Sequence, residues 1–154
     1  MHHQYYLVIR INLKKLETKT ILVLCTGNSC RSQMAEAYLR NFVKEKATIY
    51  SAGVETHGLN PGAVAIMLED GMDISHHTSN NIQEYLHINF DYVITVCDNA
   101  KERCPVFPGR AQVFHHNFPD PAKASGTANE IKEHFRYTRN LIKNYCADFV
   151  QRYL

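Results

Sequence analysis

A short apolar run, TILVLC, ends at Cys25 and leads through small and polar residues directly into a helical pattern. A continuous apolar run bounded by a turn is typical of a strand buried on both faces of a parallel sheet. The run covers residues 20–25, and apolar residues then recur at helical spacing over residues 32–46. A buried strand that passes straight into a helix predicts an α/β domain, because helices must cover the faces of such a sheet.

Strands and helices continue to alternate along the rest of the chain. Further strands are predicted at residues 48–53, 90–97 and 111–116. Helices are predicted from Pro61 to near Gly71, at residues 80–86, and in a last element with apolar residues at Ile131, Phe135, Ile142, Tyr145 and Phe149. Right-handed crossovers between such strands imply a single parallel sheet.

The N-terminal residues do not share this alternation of strands and helices. Apolar side chains occupy every second position at Leu7, Ile9, Ile11 and Leu13, which is typical of a half-buried strand. We therefore predict an N-terminal extension, residues 1–19, that either adds an edge strand or is poorly ordered. Residues 20–154 are predicted to form one domain, which is long enough for a real core.

The composition argues against nucleic acid and membranes as partners. The net charge is +2, with 21% charged and 45% apolar residues, and Lys and Arg are spread along the chain. No apolar stretch approaches the ~20 residues of a membrane span. The first residues lack the small-residue cleavage site of a signal peptide. We expect a cytoplasmic monomer.

The five cysteines predict reduced thiols with chemistry rather than structural bridges. They are Cys25, Cys30, Cys97, Cys104 and Cys146. An odd number without a secretion signal argues against a disulfide framework. The spacings C-x4-C and C-x6-C differ from the C-x2-C that structural zinc sites favour. Cys30 and Cys146 are interpreted as packing residues, Cys30 within the loop after the first strand and Cys146 in the last helix.

The loop after the first strand has the features of an anion cradle. It leaves the carboxyl end of a parallel strand and enters a helix N-terminus, where ligands bind in open α/β sheets and unpaired N–H groups attract negative charge. Gly27 and Asn28 tolerate left-handed backbone angles, and Arg31 can form a two-pronged contact with an oxyanion. The predicted oxyanion-binding residues are Thr26, Gly27, Asn28, Ser29, Cys30 and Arg31.

Cys25 stands at the start of this cradle. A thiolate there would be stabilised by the same positive field, so we predict a lowered pKa and nucleophilic reactivity at neutral pH. The alternative is a buried strand cysteine beside a structural turn. The spacing C-x5-R, with Gly, Asn and Ser between, favours a thiolate that forms a covalent bond to a tetrahedral oxyanion.

The segment CTGNSCRSQMAEA resembles the active-site loop of low-molecular-weight protein tyrosine phosphatases and of the thioredoxin-coupled arsenate reductases that share their fold. The similarity continues in SAGVETHGLNP, DISHHTS, VITVCDNAKERCP and FPDPAKASGT, from Thr20 to the C-terminus. It implies a three-layer α/β/α fold with a four-stranded parallel sheet in the order 2-1-3-4. It also implies Cys25 as nucleophile, Arg31 as oxyanion clamp and Asp120 as general acid.

Three features favour the reductases over the phosphatases of this family. Gln33 follows CRS, where phosphatases typically carry Pro. Ala122 and Lys123 follow the Asp-Pro pair, where phosphatases place aromatic residues that hold a phenol ring. Cys97 and Cys104 have the spacing of the reductases' redox pair, which a phosphatase does not need. The family hypothesis is therefore arsenate reduction by a Cys25, Cys97 and Cys104 disulfide cascade recycled by thioredoxin.

The resemblance also suggests supporting residues. Ser32 corresponds to a serine that bonds to the thiolate, and His57 to a position near the second cysteine. Asn28, Glu36, Ser51 and Thr78 match a potassium site of some relatives, but Asn80 stands where an Asp is expected, which should weaken that site. No other cofactor is expected. The remaining histidines considered are interpreted as surface or loop residues; they are His76, His77, His115 and His116.

Two alternatives to arsenate reduction remain open from the residues alone. One is phosphomonoester hydrolysis on the same fold, and the other is a redox-sensing, oxyanion-binding module without turnover. A geometric expectation accompanies the reductase hypothesis. If residues 98–103 are helical in the reduced protein, Cys97 and Cys104 are too far apart for a disulfide, so oxidation must unwind this segment.

Overall fold

A computed structural model describes residues 18–154 as an α/β domain built on a four-stranded sheet. The strands are β1 (Lys19–Cys25), β2 (Ala47–Gly53), β3 (Tyr92–Thr95) and β4 (Gln112–His115). They lie in the order β2-β1-β3-β4, and every neighbouring pair is parallel. The predicted order 2-1-3-4 is confirmed. The predicted edge strand at residues 7–13 lies outside the described residues and stays a prediction.

Helices surround this sheet, as predicted for a three-layer fold. They are α1 (Arg31–Val43), α2 (Pro61–Glu69), α3 (Asp98–Glu102) and α4 (Ala128–Tyr153), and two short 3-10 turns cover Ile82–Tyr85 and Pro121–Lys123. The long α4 packs against α1 and α2. Within residues 18–154, none of the helices has the length and apolar character to cross a membrane.

The central position of β1 in the sheet explains why its sequence is continuously apolar. Its side chains from Ile21 to Leu24 are fully buried, since β2 and β3 flank the strand and helices cover the sheet. Cys25 is the last residue of β1 and pairs with Gly53 of β2. The loop that follows therefore starts from the fully buried central strand of the sheet.

Several element boundaries differ from the sequence-based predictions. β3 was expected at residues 90–97 but spans Tyr92–Thr95, since its partner β4 offers only four residues to pair with. Cys97 therefore does not end a strand; it caps α3 instead. α1 ends at Val43 rather than near residue 46, because Lys44 has a positive φ of 52° that no helix continues through.

A cluster of charges joins α2 to α4. The carboxylate of Glu69 accepts hydrogen bonds from Arg136 at 2.7 and 2.8 Å and from Arg139 at 3.2 Å. Arg139 also donates to the Ile66 carbonyl at 2.9 Å. The hydrogen bonds from Arg136, then those from Arg139, lower the pKa of Glu69 to about 2. This cluster therefore holds the end of α2 against α4.

Candidate active site

The loop between β1 and α1 is held by its carbonyl groups. Five consecutive carbonyls accept hydrogen bonds from outside the loop, and their donors are Val54 N to Cys25 O, Glu55 N to Thr26 O, His57 N to Gly27 O, Gln33 Nε2 to Asn28 O and Asn60 N to Ser29 O. A peptide N–H points roughly opposite to its C=O. The loop amides therefore face the inner side of the loop, where the backbone N–H of Thr26 acts to lower the pKa of Cys25. This is the geometry of an anion-binding nest.

Asn28 and Gly27 are needed in this loop for different reasons. Asn28 has a positive φ of 48°, which asparagine tolerates better than most residues. A side chain on Gly27 would collide with His57, since a Cβ there would lie 2.3 Å from Nδ1 of that ring. The expected left-handed angle is thus confirmed at Asn28, whereas Gly27 has no positive φ and is required instead for its close approach to His57.

The sulfurs of Cys25 and Cys97 lie 3.9 Å apart in a buried contact. Cys25 ends β1, and Cys97 follows β3 by two residues, so the adjacency of these strands brings the thiols to one edge of the sheet. The hydroxyl of Thr26 lies 3.2 Å from the Cys97 sulfur and accepts a hydrogen bond from Asn99 at 3.0 Å, so it is free to donate to that sulfur. All five cysteines are free thiols.

The two thiols share a proton unequally. A hydrogen bond from the Cys25 thiol, together with Thr26, the backbone of Ala100 and the charge of Arg31, lowers the pKa of Cys97 to about 5, although burial opposes this shift. The same hydrogen bond, followed by burial, raises the pKa of Cys25, against the lowering effect of Arg31 and of Thr26 N–H. The two thiols therefore share one proton, and Arg31 favours a thiolate on either sulfur of the pair.

The hydrogen bond with Cys97, followed by burial, acts against the predicted lowering of the Cys25 pKa. The loop and Arg31 do act on Cys25 in the expected direction. The sequence could not show that a second thiol stands within hydrogen-bonding distance and competes for the negative charge. A thiolate is present in the pair, and a single proton transfer over the 3.9 Å contact moves it to Cys25.

Arg31 and Asp120 are brought together from distant parts of the chain. Arg31 begins α1 and is only 9% exposed. Its Nη1 donates to the Phe118 carbonyl at 3.0 Å, and its Nη2 lies 3.5 Å from Oδ2 of Asp120. Asp120 also accepts from Ala122 N at 3.1 Å and so caps the turn Pro121–Lys123. The guanidinium of Arg31 is thereby held beside the loop, and the carboxyl group of Asp120 lies next to it.

Cys104 lies beyond the far end of α3 from Cys97. The segment between them is helical over Asp98–Glu102, so the condition on which the expected unwinding depends is met. Cys104 is half-buried, its Sγ lies 3.6 Å from the Pro105 carbonyl, and burial raises the pKa of its thiol. Cys104 is therefore a protonated thiol held apart from the Cys25–Cys97 pair.

Ser32 and His57 support the loop in ways that differ from the implied ones. The Ser32 hydroxyl accepts a hydrogen bond from Asn28 Nδ2 at 2.8 Å; within residues 18–154 it makes no hydrogen bond with Cys25. The ring of His57 bonds through Nε2 to Glu55 at 2.8 Å, while its backbone N–H holds the Gly27 carbonyl. Both residues shape the loop from outside.

The residues matched to a potassium site do meet beneath the loop. Their side-chain oxygens, however, are occupied by hydrogen-bond donors: Asn80 N donates to Asn28 Oδ1, Ser51 donates to Glu36 Oε1, His77 and Arg40 face Glu36 Oε2, and Thr78 donates to Asn80 Oδ1. This arrangement does not fit a cation, since donors stand where a cation would sit.

The sequence interpretation missed two histidines. His77 is not a surface residue, because its side chain is 9% exposed and its Nδ1 lies 3.1 Å from Glu36 and 3.0 Å from Gln33 Oε1. Burial lowers the pKa of His77. His115 bonds to Asp98 at 2.7 Å, at the start of α3. No sequence pattern marks either contact, since each joins residues from separate elements.

Cys30 and Cys146 take no part in the thiol pair, as predicted. Cys30 is buried in the loop, and burial, followed by the charge of Asp120, raises the pKa of its thiol to about 12. Cys146 is buried between α4 and α1, where its Sγ lies 3.8 Å from the Ala35 carbonyl, and burial raises its pKa. Among residues 18–154, no group of three or more His, Cys, Asp or Glu side chains is arranged to hold a metal ion.

The strand order and the anion-binding loop after β1 define a phosphatase-like α/β domain. The chain belongs to the low molecular weight phosphotyrosine protein phosphatase family, whose model matches residues 20–153. That match covers the loop, Cys97, Cys104, Asp120 and nearly the whole sheet.

Within this family the chain is similar to proteins named arsenate reductase. The arsenate reductase of Bacillus subtilis (strain 168) is 44% identical over 136 residues, which cover 88% of this chain and 98% of that protein. An arsenate reductase solved in an oxidized state superposes with a TM-score of 0.75 at 29% identity, covering 88% of this chain and 98% of its own. An arsenate reductase in a phosphate binding state gives a TM-score of 0.71 at 29% identity, with the same coverages.

Proposed function

We propose that this protein reduces arsenate to arsenite and that thioredoxin recycles it. The observation that carries the proposal is the 3.9 Å contact between Cys25 and Cys97 beside an anion-binding loop. Reduction of As(V) to As(III) requires two electrons, and two thiols that become a disulfide supply two. The similarity to arsenate reductases supports the same reaction.

In the first step, arsenate binds to the loop amides and to the guanidinium of Arg31. The Cys25 thiol passes its proton to the Cys97 thiolate and its sulfur attacks arsenic. An As–O bond breaks, and Asp120 protonates the departing hydroxide to water. A carboxyl group 3.5 Å from the anion-binding guanidinium is within reach of an oxygen held by it.

In the second step, Cys97 returns its proton to an oxygen of the arsenic adduct and attacks the Cys25 sulfur. The S–As bond breaks, and its electron pair stays on arsenic, which leaves as arsenite. The two sulfurs form a disulfide. The net change is that a thiol, a thiolate, a dihydrogen arsenate ion and two protons, one delivered by Asp120 and one from solvent, give a disulfide, neutral arsenous acid and water. Thr26, the backbone of Ala100 and the charge of Arg31 lower the pKa of Cys97, which favours the thiolate that this step requires.

In the third step, Cys104 attacks Cys97 and releases the thiolate of Cys25. Cys104 loses a proton, the Cys25–Cys97 bond breaks, and the Cys97–Cys104 bond forms. Because Cys104 is protonated and stands beyond α3, this exchange waits for the helix to open. Thioredoxin then reduces the Cys97–Cys104 disulfide by the same chemistry.

One chain supplies every group in this scheme, so we propose that the protein works as a monomer. Five free thiols fit a reducing compartment such as the cytoplasm, where thioredoxin keeps thiols reduced. The partners are thus an arsenate or phosphate-like oxyanion and thioredoxin.

Weak phosphomonoester hydrolysis is the second candidate, favoured by the Arg31–Asp120 pair. The pair and the loop suit a phosphate ester as well as arsenate, since both are tetrahedral oxyanions. Ala122 and Lys123 are exposed beside Asp120 and offer no aromatic surface to a phenol ring. We therefore expect aryl phosphate hydrolysis to be slow.

The test is arsenate-dependent NADPH oxidation in the presence of thioredoxin and thioredoxin reductase. We expect turnover by the wild-type protein and none by Cys25→Ser, with Cys146→Ala as a cysteine variant that stays active. Hydrolysis of an aryl phosphate without arsenate turnover would favour the phosphatase. Absence of both activities would leave an oxyanion-binding redox module and would reject the proposal.

A further inference from the structure

The segment after β2, residues 54–57, is hydrogen-bonded to the loop between β1 and α1. Val54 N, Glu55 N and His57 N donate in turn to the carbonyls of Cys25, Thr26 and Gly27 at 3.1, 2.8 and 2.9 Å. The backbone of Glu55 is thus fixed to the loop. The Glu55 side chain therefore extends from backbone that is hydrogen-bonded to the loop.

The carboxylate of Glu55 joins the segment after β2 to the end of α3. Oε2 accepts a hydrogen bond from His57 at 2.8 Å, and Oε1 accepts from Arg103 Nη1 at 2.9 Å. These bonds, first that of Arg103 and then that of His57, lower the pKa of Glu55, so its carboxylate is ionised at neutral pH. Arg103 directly precedes Cys104 in the chain.

The two ends of α3 are held in unequal ways. At the start, Asp98 N donates to Asn117 at 3.1 Å and the Asp98 carboxylate bonds to His115 at 2.7 Å, while the second residue, Asn99, donates to Thr26. At the other end, among residues 18–154, the ion pair between Arg103 and Glu55 is the one side-chain bond that joins the end of α3 to the segment after β2. Ala100 is the helix's single buried residue, so little apolar surface resists its opening.

We propose that Glu55 is a positioning residue that restrains Cys104 through Arg103 and sets the rate of the second disulfide exchange. This inference rests on the proposed function above. While Cys25 and Cys97 react, the ion pair keeps α3 formed and Cys104 away from Cys97. For Cys104 to reach Cys97, the far end of α3 must leave Glu55, while the start of the helix stays beside Cys25.

The ion pair is exposed, with each side chain about half accessible, so its contribution is modest and sensitive to salt. Its loss should speed the exchange by about fivefold, within the range of one exposed ion pair. Arsenite release should be unaffected, since that step uses Cys25 and Cys97 only.

The experiment compares Glu55→Gln and Arg103→Gln with Arg110→Gln, an exposed arginine that makes no ion pair among the described residues. Arsenate is added once without thioredoxin, and arsenite release and Cys97–Cys104 formation are followed separately by acid quenching and peptide mass spectrometry. We expect faster exchange in both test variants, no further gain in the double variant, and wild-type behaviour in Arg110→Gln.

Ionic strength provides a readout that a merely structural role would not change. The wild-type exchange should accelerate between about 0.01 M and about 1 M salt, as the screening length falls from about 30 Å to about 3 Å, while the test variants should stay flat. Equal exchange rates and salt dependences in wild type and variants would overturn the inference, even if arsenite is released normally. If the wild type releases no arsenite, the proposed function fails instead.

Hydrogen exchange in the reduced protein keeps the inference testable without arsenate. Amides of residues 99–104 should exchange several times faster in Glu55→Gln and Arg103→Gln than in Arg110→Gln. Unchanged protection of that segment would refute a restraint by Glu55.

Discussion

Cys25 and Cys97 are 72 positions apart in the chain, yet their sulfurs lie 3.9 Å from each other. The contact follows from strand order, because β1 and β3 are parallel neighbours and both cysteines lie at the carboxyl edge. Arg31 lowers the pKa of both thiols from the same side. An oxyanion site and a two-electron donor are thus combined at one edge of a sheet.

Removal of Cys97 should return the thiolate to Cys25. In Cys97→Ala the hydrogen bond that raises the pKa of Cys25 is gone, while Arg31 and Thr26 N–H still favour its thiolate. We expect the pKa of Cys25 to fall below its wild-type value. Ultraviolet thiolate absorbance across a pH titration of both proteins measures this change. Cys104→Ala should leave the titration of the Cys25–Cys97 pair as in wild type, and an unchanged Cys25 pKa in Cys97→Ala would contradict the shared proton.

Replacement of Asp120 by Asn should slow the chemistry but keep the fold. Asparagine can still accept the bond from Ala122 N that caps the turn, but it cannot protonate a leaving oxygen. We expect kcat for arsenate to fall by about 10²-fold or more, the usual range for loss of a general acid. Steady-state kinetics with circular dichroism as a fold check decide this. A decrease smaller than about threefold, on the scale of context-dependent variation in such effects, would remove Asp120 from the mechanism.

Cys104→Ser should stop the protein after one turnover. Arsenite leaves before Cys104 acts, so one equivalent should be released and a Cys25–Cys97 disulfide should accumulate. Peptide mass spectrometry after a single arsenate addition identifies the bond. Cys146→Ala, which alters a buried thiol on α4, is the control and should cycle normally. Normal cycling of Cys104→Ser with thioredoxin would exclude Cys104 from the cascade.

Formation of the Cys97–Cys104 disulfide should unwind α3. With the segment helical, the two Cα atoms lie about 10 Å apart along the axis at about 1.5 Å per residue, whereas a disulfide tolerates about 4.4–6.8 Å. Amides of residues 98–104 should therefore lose protection in the oxidised protein. Hydrogen exchange on both redox forms tests this, with α1 as an internal reference. Equal protection of the segment in the two forms would show that α3 does not open.

The charge cluster at Glu69 should make stability depend on pH in the acid range. The pKa of Glu69 is lowered to about 2 in the folded protein, from about 4.3 when unfolded. Its stabilisation is therefore complete above the unfolded value and is lost as the pH falls through about 2. We expect the Tm difference between wild type and Glu69→Gln to be largest near neutral pH and to shrink below about pH 4. Glu45→Gln, on an exposed turn, should show no such trend.

The sequence predicted the buried strands and the loop between β1 and α1 well because both depend on local signals, whereas the strand order 2-1-3-4 followed from the resemblance to the phosphatase family. A continuous apolar run predicts a buried strand, and helix start signals place α1 and α2 within a few residues. Boundaries were less accurate where a neighbour limits an element, as with β3, whose length is set by β4. The potassium residues do meet as expected, but the donors that occupy their oxygens come from His77, Arg40 and Asn80.

The sequence by itself determined the class of fold and the anion loop from Cys25 to Arg31, and it places Cys97 and Cys104 at a spacing that resembles the reductases' pair. Only the tertiary structure decided that Cys25 and Cys97 share a proton, since that depends on a 3.9 Å contact between residues that follow two different strands. The same is true of the pair Glu55–Arg103 and of His115 at the start of α3. Electrostatic energies depend on distance and burial rather than on order along the chain, so these properties are defined only once the chain is folded.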